Sequence, residues 1–147
     1  ADLVTVVLNE NKSAIQLKKL TVNVNIPHEL VVPVDLILAK QVIANLVVNA
    51  IKFSNPEGQI KLHGVVSNGL FKLTIEDGGM GMDTDIQREL FSHIVRVGRK
   101  GTQGESTSGL GLYLCAKIMQ KHKFNLPDRF ATILPIILDK HRSYHDY

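Results

Sequence analysis

Asn68-Gly69 stands between two short runs, near 59–66 and 70–76, in which apolar and polar residues alternate. Asn-Gly suits the two-residue turn whose central positions take left-handed backbone, and such a turn joins antiparallel strands. The step is a strong signal for a hairpin of antiparallel strands. LTVNVNI, residues 20–26, alternates in the same way and predicts a further strand. Around these runs the spacing is helical. Leu3, Val7, Ala14 and Leu17 predict an amphipathic helix over 3–18, and a second is expected over 36–53 with Asp35 as its N-cap. NPEG, Asn55 to Gly58, reads as a turn. Asp83 or Thr84 is placed to cap a short helix to His93, and another helix is expected over 109–122. PDRFATILPI holds one more strand, and DKHRSYHDY reads as a loose tail. This order predicts the α+β class, with helices on one face of the sheet.

Composition narrows the function classes. Apolar residues make up 44% and charged residues 21% of 147, as in an ordinary globular domain. The net charge is +3, but Lys and Arg are scattered and Trp is absent, so no nucleic-acid partner is expected. No apolar run approaches the ~20 residues that span a bilayer. No direct membrane insertion of this segment is expected. The chain starts at Ala1 without the pattern of a signal peptide and reads as a domain excised from a larger protein. Cys115 is the single cysteine and lies on an apolar helical stretch, where it is expected in the core.

Three stretches carry chemistry. Within QVIANLVVNAIKFSN, Gln41, Asn45, Asn49 and Lys52 fall on one helical stripe, while Ile43, Leu46, Val47, Ala50 and Ile51 cover the other sides. A solvent face explains such a stripe. Yet Asn costs helix stability, and two of them one turn apart among apolar residues look like ligands. Their amide oxygens suit Mg²⁺, and Lys52 suits a phosphate. EDGGMGMD, from Glu76 to Asp83, follows a strand. Its glycines permit close backbone approach, and its carboxylate can accept from an exocyclic amine such as that of adenine. A tight turn before a helix is the plainer explanation. Neither a GxGxxG nor a GxxxxGK[ST] pattern is present. The third stretch is GESTSGLGLYLCAKI, from Gly104 to Ile118. Small polar residues there precede a helix whose free amides make an anion site, with Arg96, Arg99 and Lys100 upstream. A surface loop with Ser106 or Ser108 as N-cap explains it equally. Residues 94–108 as a whole read as too polar and Gly-rich to pack.

In this order the three stretches resemble the ATP-binding catalytic domain of sensor histidine kinases, in the GHKL superfamily with DNA gyrase, Hsp90 and MutL. NLVVNAIKFS is similar to the N box, DGGMG to the first glycine box, LFSHI to a degenerate F box and SGLGL to the second glycine box. The resemblance covers about residues 3–122. It implies a two-layer α/β sandwich with a mixed sheet covered on one face by three helices. The domain would run over 1–135 with a lid near 94–108, and 136–147 would be a divergent tail.

The resemblance also implies roles. Asn49 would ligate Mg²⁺ with Asn45 alongside; Lys52 would contact phosphates and Phe53 would pack on the nucleotide. Asp77 would accept from the adenine amine, with Gly79 and Gly81 shaping its pocket. Gly109, Leu110 and Gly111 would offer backbone amides to the phosphates, flanked by Ser108 and Leu112, with Arg99 and Lys100 on the lid. The cofactors implied are ATP and Mg²⁺. The implied partners are a histidine-bearing dimerisation domain of the same kinase and a response regulator. The implied localisation is cytoplasmic, as the cytoplasmic portion of a sensor that is either membrane-bound or free. The isolated domain is expected to be a monomer, with a swapped dimer as the alternative. Asn45 stands where the gyrase branch has a Glu that activates water, which favours transfer to a protein. A nucleotide-binding scaffold without transfer, or a protein-serine kinase of the anti-sigma type, remain as alternatives. Three features depart from the pattern. PHELVVP places His28 between a strand and a helix with Val31 and Val32 after it, unlike a phosphoacceptor box. Ile94 replaces the second Phe of the F box. After His122 about one strand and a turn are missing, and Asp128 sits where a Thr is usual.

Overall fold

The computed structural model describes residues 1–28, 35–67, 70–81, 100–106 and 110–125. The elements are α1 (Asp2–Glu10), α2 (Lys12–Leu17), β1 (Thr21–Asn25), α3 (Leu36–Phe53), β2 (Gln59–Ser67), β3 (Leu70–Asp77) and α4 (Leu110–Asn125). The expected short helix before His93, the C-terminal strand and the tail lie outside the described residues, as do Val31, Val32, Ile94 and Asp128.

The sheet is mixed, in the order β1-β2-β3. β1 runs parallel to β2, pairing Thr21 with Gln59 and Asn25 with His63. β2 and β3 form the antiparallel pair expected of the Asn-Gly step, with Ile60 opposite Asp77 and Ser67 opposite Leu70. The period-2 pattern fixes which face is covered. Ile60 and Leu62 are buried together with Ile75 and Leu73, while Lys61 and its partner Glu76 point to solvent.

α3 has the boundaries that its spacing predicted. Asp35 Oδ1 accepts from the Ile37 amide at 2.9 Å and the Leu38 amide at 3.0 Å, satisfying two of the donors that a helix start leaves free. The helix is apolar enough, by length and composition alone, to cross a membrane, with a mean hydropathy of 1.5 over 18 residues. Its surroundings are those of a core helix. It packs on β3 and is flanked by α1 and α4, burying Val42, Leu46, Val47, Ala50 and Ile51.

The expected helix over 3–18 is broken in two. Asn11 sits at φ −105°, ψ 10°, and its side-chain amide donates to the Val7 carbonyl at 2.8 Å. That local bond competes with the backbone ladder and ends α1. The break turns the second half, so Leu17 is 81% exposed and Ala14 is exposed too, contrary to the amphipathic reading. Lys18 is buried instead. α2 closes with paired bonds from Lys19 N to Gln16 O and from Leu20 N to Ile15 O, around a left-handed Lys19 at φ 52°.

Asp35→Ala is expected to lower stability by about 0.5–2 kcal/mol, the usual effect of removing a helix N-cap. A urea titration monitored by circular dichroism should show an earlier midpoint with an unchanged slope.

Candidate functional site

The polar stripe of α3 is not a solvent face. Gln41 is exposed, but Asn45, Asn49, Lys52 and Phe53 are half-buried. One end of the stripe meets α4. A Cβ on Gly111 would stand 3.5 Å from Asn45 Oδ1, an ordinary contact that places the amide beside the first turn. Asn45 Nδ2 is buried with no hydrogen-bond partner among the described residues. Cys115 lies one turn further along α4, buried, 3.8 Å from the Val42 carbonyl. Burial pushes its thiol up to about 11, against a smaller lowering from the neighbouring Asn45 amide. The thiol stays neutral and the residue belongs to the core, as expected.

The other end of α3 meets the acidic glycine loop. Ser54 pairs with Gly79 as an isolated bridge, and the Met80 amide donates to the Phe53 carbonyl at 3.3 Å. Gly79 is buried, and a Cβ there would collide with the Phe53 carbonyl oxygen and stand 2.7 Å from Asp77 Oδ1. The carboxylate of Asp77, half-buried with its Oδ2 inside, thus leans over a position that only glycine can fill. Gly81 is different: it has open space and a φ of +63°, so backbone conformation selects it. Phe53, Asp77, Gly79 and Gly81 are therefore brought to one end of the sheet.

The third stretch carries the main correction. Residues 100–106 do pack. Gly101 is buried, and its would-be Cβ lies 2.7 Å from the Lys52 carbonyl oxygen. Thr102 donates its amide to that carbonyl at 3.0 Å and its hydroxyl to the Ser54 carbonyl at 2.6 Å. The turn closes through Gly101 N to Glu105 O at 2.9 Å and Gly104 N to Gly101 O at 3.0 Å, with Gly104 at φ +83°. Lys18 reaches in from the end of α2. Its ammonium donates to the Ile51 and Lys52 carbonyls at 2.8 and 2.7 Å and pairs with Glu105 Oε1 at 2.8 Å. The segment packs despite its polarity because the end of α3 offers unpaired carbonyls and a buried ammonium that need polar partners.

Lys52 Nζ donates to the Ser106 carbonyl at 3.1 Å, which ties the stripe to the approach to α4. Leu110 is exposed at the head of α4, Gly111 and Leu112 are half-buried, and Leu112 packs against the core. Lys100 is exposed next to the turn that begins at Gly101. Arg99, Ser108 and Gly109 lie outside the described residues. His28 is exposed after β1. Sequence reasoning missed Lys18, Gly101, Thr102 and Glu105. The signal available was GTQGE itself: two glycines flanking Thr, and an acid with no helix to serve.

Comparison with known proteins gives this geometry a family. Residues 34–129 match the family described as histidine kinase-, DNA gyrase B- and HSP90-like ATPases. The chain is 38% identical over 127 residues to the adaptive-response sensory kinase SasA of Synechocystis sp., covering 83% of this chain and 32% of that protein. It is 31% identical over 126 residues to the sensor histidine kinase TmoS of Ectopseudomonas mendocina, covering 83% of this chain and 13% of that one. The chain thus spans a third or less of these relatives. The catalytic domain of histidine kinase ThkA superposes with a TM-score of 0.69 at 26% identity, over 82% of this chain and 76% of that one.

Two outcomes are expected. Gly79→Ala, whose methyl would meet the Phe53 carbonyl and the Asp77 carboxylate, should cost about 1–3 kcal/mol in urea unfolding. Glu105 is subject to a desolvation that raises its pKa. The Lys18 ammonium and the Gln103 and Glu105 backbone outweigh that and hold it below the usual carboxylate value. A lowered folded pKa contributes stability above the unfolded value near 4.5 that is lost as pH falls through the lower folded value. The stability gap between wild type and Glu105→Gln should therefore be constant near neutrality and narrow at acid pH. With sequence match and fold in agreement, the chain belongs to the histidine kinase-, DNA gyrase B- and HSP90-like ATPase family and carries the ATP-binding catalytic domain found in sensor histidine kinases.

Proposed function

We infer that this domain binds Mg²⁺·ATP and donates the γ-phosphoryl group to a histidine on a separate dimerisation domain of the same kinase, from which a response regulator is served. The observation that supports this reading is the convergence on α3, which meets the acidic glycine loop through Phe53 and Ser54 and the first turn of α4 through Asn45. An adenine held at Asp77 would lie over Gly79 and Gly81 and beside Phe53. Its phosphates would extend along Asn49 and Lys52 toward the amides of Gly109, Leu110 and Gly111, with Lys100 and Arg99 near the lid. On this reading Ser108 and Leu112 would flank the phosphates.

The donor set fits a hard cation. Among the described residues no group of three His, Cys, Asp or Glu side chains could hold an ion. A cation would draw its oxygens from phosphates, water and the Asn49 amide, with Asn45 alongside, and that is how Mg²⁺ is commonly bound. When bound, Mg²⁺ neutralises phosphate charge. The chain's own work is then positioning and charge balance, which dominate phosphoryl transfer. The γ-phosphorus exchanges its bond to the bridging oxygen for one to an imidazole nitrogen, ADP departs, and the imidazole proton passes to water. No nucleophile is needed within this chain. On this reading the ATP-binding unit spans 1–135, works in the cytoplasm and is monomeric when isolated.

The test is calorimetric titration with a non-hydrolysable ATP analogue, with and without Mg²⁺. Asp77→Asn should weaken binding by about 1.5–3 kcal/mol, the range for a hydrogen bond to a charged group. Asn49→Ala should weaken binding only when Mg²⁺ is present. Wild-type affinity in both variants would overturn the site. Given binding, acid-labile phosphate on an added dimerisation domain identifies the histidine kinase, and stable phosphoserine on a partner would replace it with the serine-kinase reading.

A further inference from the structure

Among the described residues, Lys18 is the one charged side chain that is fully buried, with 2% of its side chain exposed. It lies in neither glycine box nor the stripe of α3. Its three donors are all spent: on the Ile51 carbonyl, the Lys52 carbonyl and Glu105 Oε1. Satisfying two helix-end carbonyls does not require a charge, since Thr102 already caps the Lys52 carbonyl through its amide and the Ser54 carbonyl through its hydroxyl. A charge is what grips Glu105. That carboxylate in turn takes the Gln103 amide on Oε2 at 2.9 Å, and its backbone carbonyl takes the Gly101 amide. The next residue, Ser106, presents the carbonyl that receives Lys52 Nζ. An unbroken path of bonds therefore runs from the end of α2 to the amine of Lys52.

We propose that Lys18 and Glu105 are positioning residues for Lys52: their ion pair fixes the 101–106 turn, and the Ser106 carbonyl of that turn holds the Lys52 amine aimed at the terminal phosphates. This rests on the nucleotide reading above. Neither residue touches the nucleotide. Both act by sparing Lys52 the loss of side-chain freedom that gripping a phosphate from an unrestrained state would cost. Gly101 and Gly104 serve the same device, the first by close approach to the Lys52 carbonyl and the second by its left-handed backbone.

The experiment uses Glu105→Gln, which keeps the shape of the side chain, and reads two things. The first is the acylation rate of the Lys52 amine by an activated ester, followed by peptide mass spectrometry. The second is affinity for ATP, ADP and adenosine by calorimetry. Lys52 is expected to acylate faster in the variant. ATP affinity is expected to fall roughly tenfold, the scale of one oriented contact to a charged group, with adenosine unchanged. In a Lys52→Met background Glu105→Gln should cause no further loss of ATP affinity. Parallel weakening of ATP and adenosine would reduce the pair to a structural role and overturn the proposal; so would tighter ATP binding or an unchanged acylation rate. If wild type bound no nucleotide, the ATP reading would fail, and the acylation rate would still decide whether Glu105 holds Lys52. Lys18→Met serves as the companion variant; should it fail to fold, Glu105→Gln alone carries the test.

Discussion

The last turn of α3 has to be two things at once. It is a helix end with orphan carbonyls, and it is the wall between the acidic glycine loop and the approach to α4. Buried ammonium ions are costly, by several kcal/mol each, unless every donor is matched. Lys18 meets that condition by spending itself on two of those carbonyls and one carboxylate. With the helix end closed in this way, water need not enter to cap it. The loop that follows can then pack on the helix instead of hanging from it. Replacing such a pair by apolar side chains can be neutral for stability, but no apolar side chain could shape the 101–106 turn.

The two ends of the site are set by different physics. Backbone sterics govern the end near Asp77. Gly79 is locked against the Phe53 carbonyl, and the Ser54–Gly79 bridge joins α3 to the end of β3. Side-chain reach governs the end near Lys52, where a flexible stem of four carbons would wander without an acceptor. That asymmetry suits a ligand with a rigid ring at one end and a charged chain at the other. It also explains why glycines crowd the first region while Thr, Glu and Lys dominate the second.

Much of the fold was legible because period and punctuation agree. Asp35, the spacing through Phe53 and the turn from Asn55 to Gly58 all point the same way, and α3, β2 and β3 follow. The break at Asn11 was not legible, since an Asn in mid-pattern is compatible with continued helix until its side chain finds the Val7 carbonyl. For the candidate site, the spacing placed Asn45, Asn49 and Lys52 on one stripe, and the structure has them half-buried on α3. The candidate site was not legible where a residue acts across the chain. Lys18 and Glu105 are far apart in sequence, and a lysine at the end of a helix ordinarily faces water. Polarity alone suggested that 94–108 would not pack, because composition reports the solvation of a segment and not the partners that folding supplies to it.

The same logic bears on Asn45. Its amide nitrogen is buried without a partner among the described residues, which normally costs free energy. Had the position been selected for stability, an apolar residue matching Val42 and Leu46 would serve better against Gly111 and Cys115. The amide lies in ordinary van der Waals range of Gly111 at the helix start. On the nucleotide reading proposed above, this amide, which lies beside the Cys115 thiol at the junction of the α3 stripe and the first turn of α4, would find its stronger acceptor in the ligand. Phosphate oxygens are the acceptors that the proposed ligand would bring.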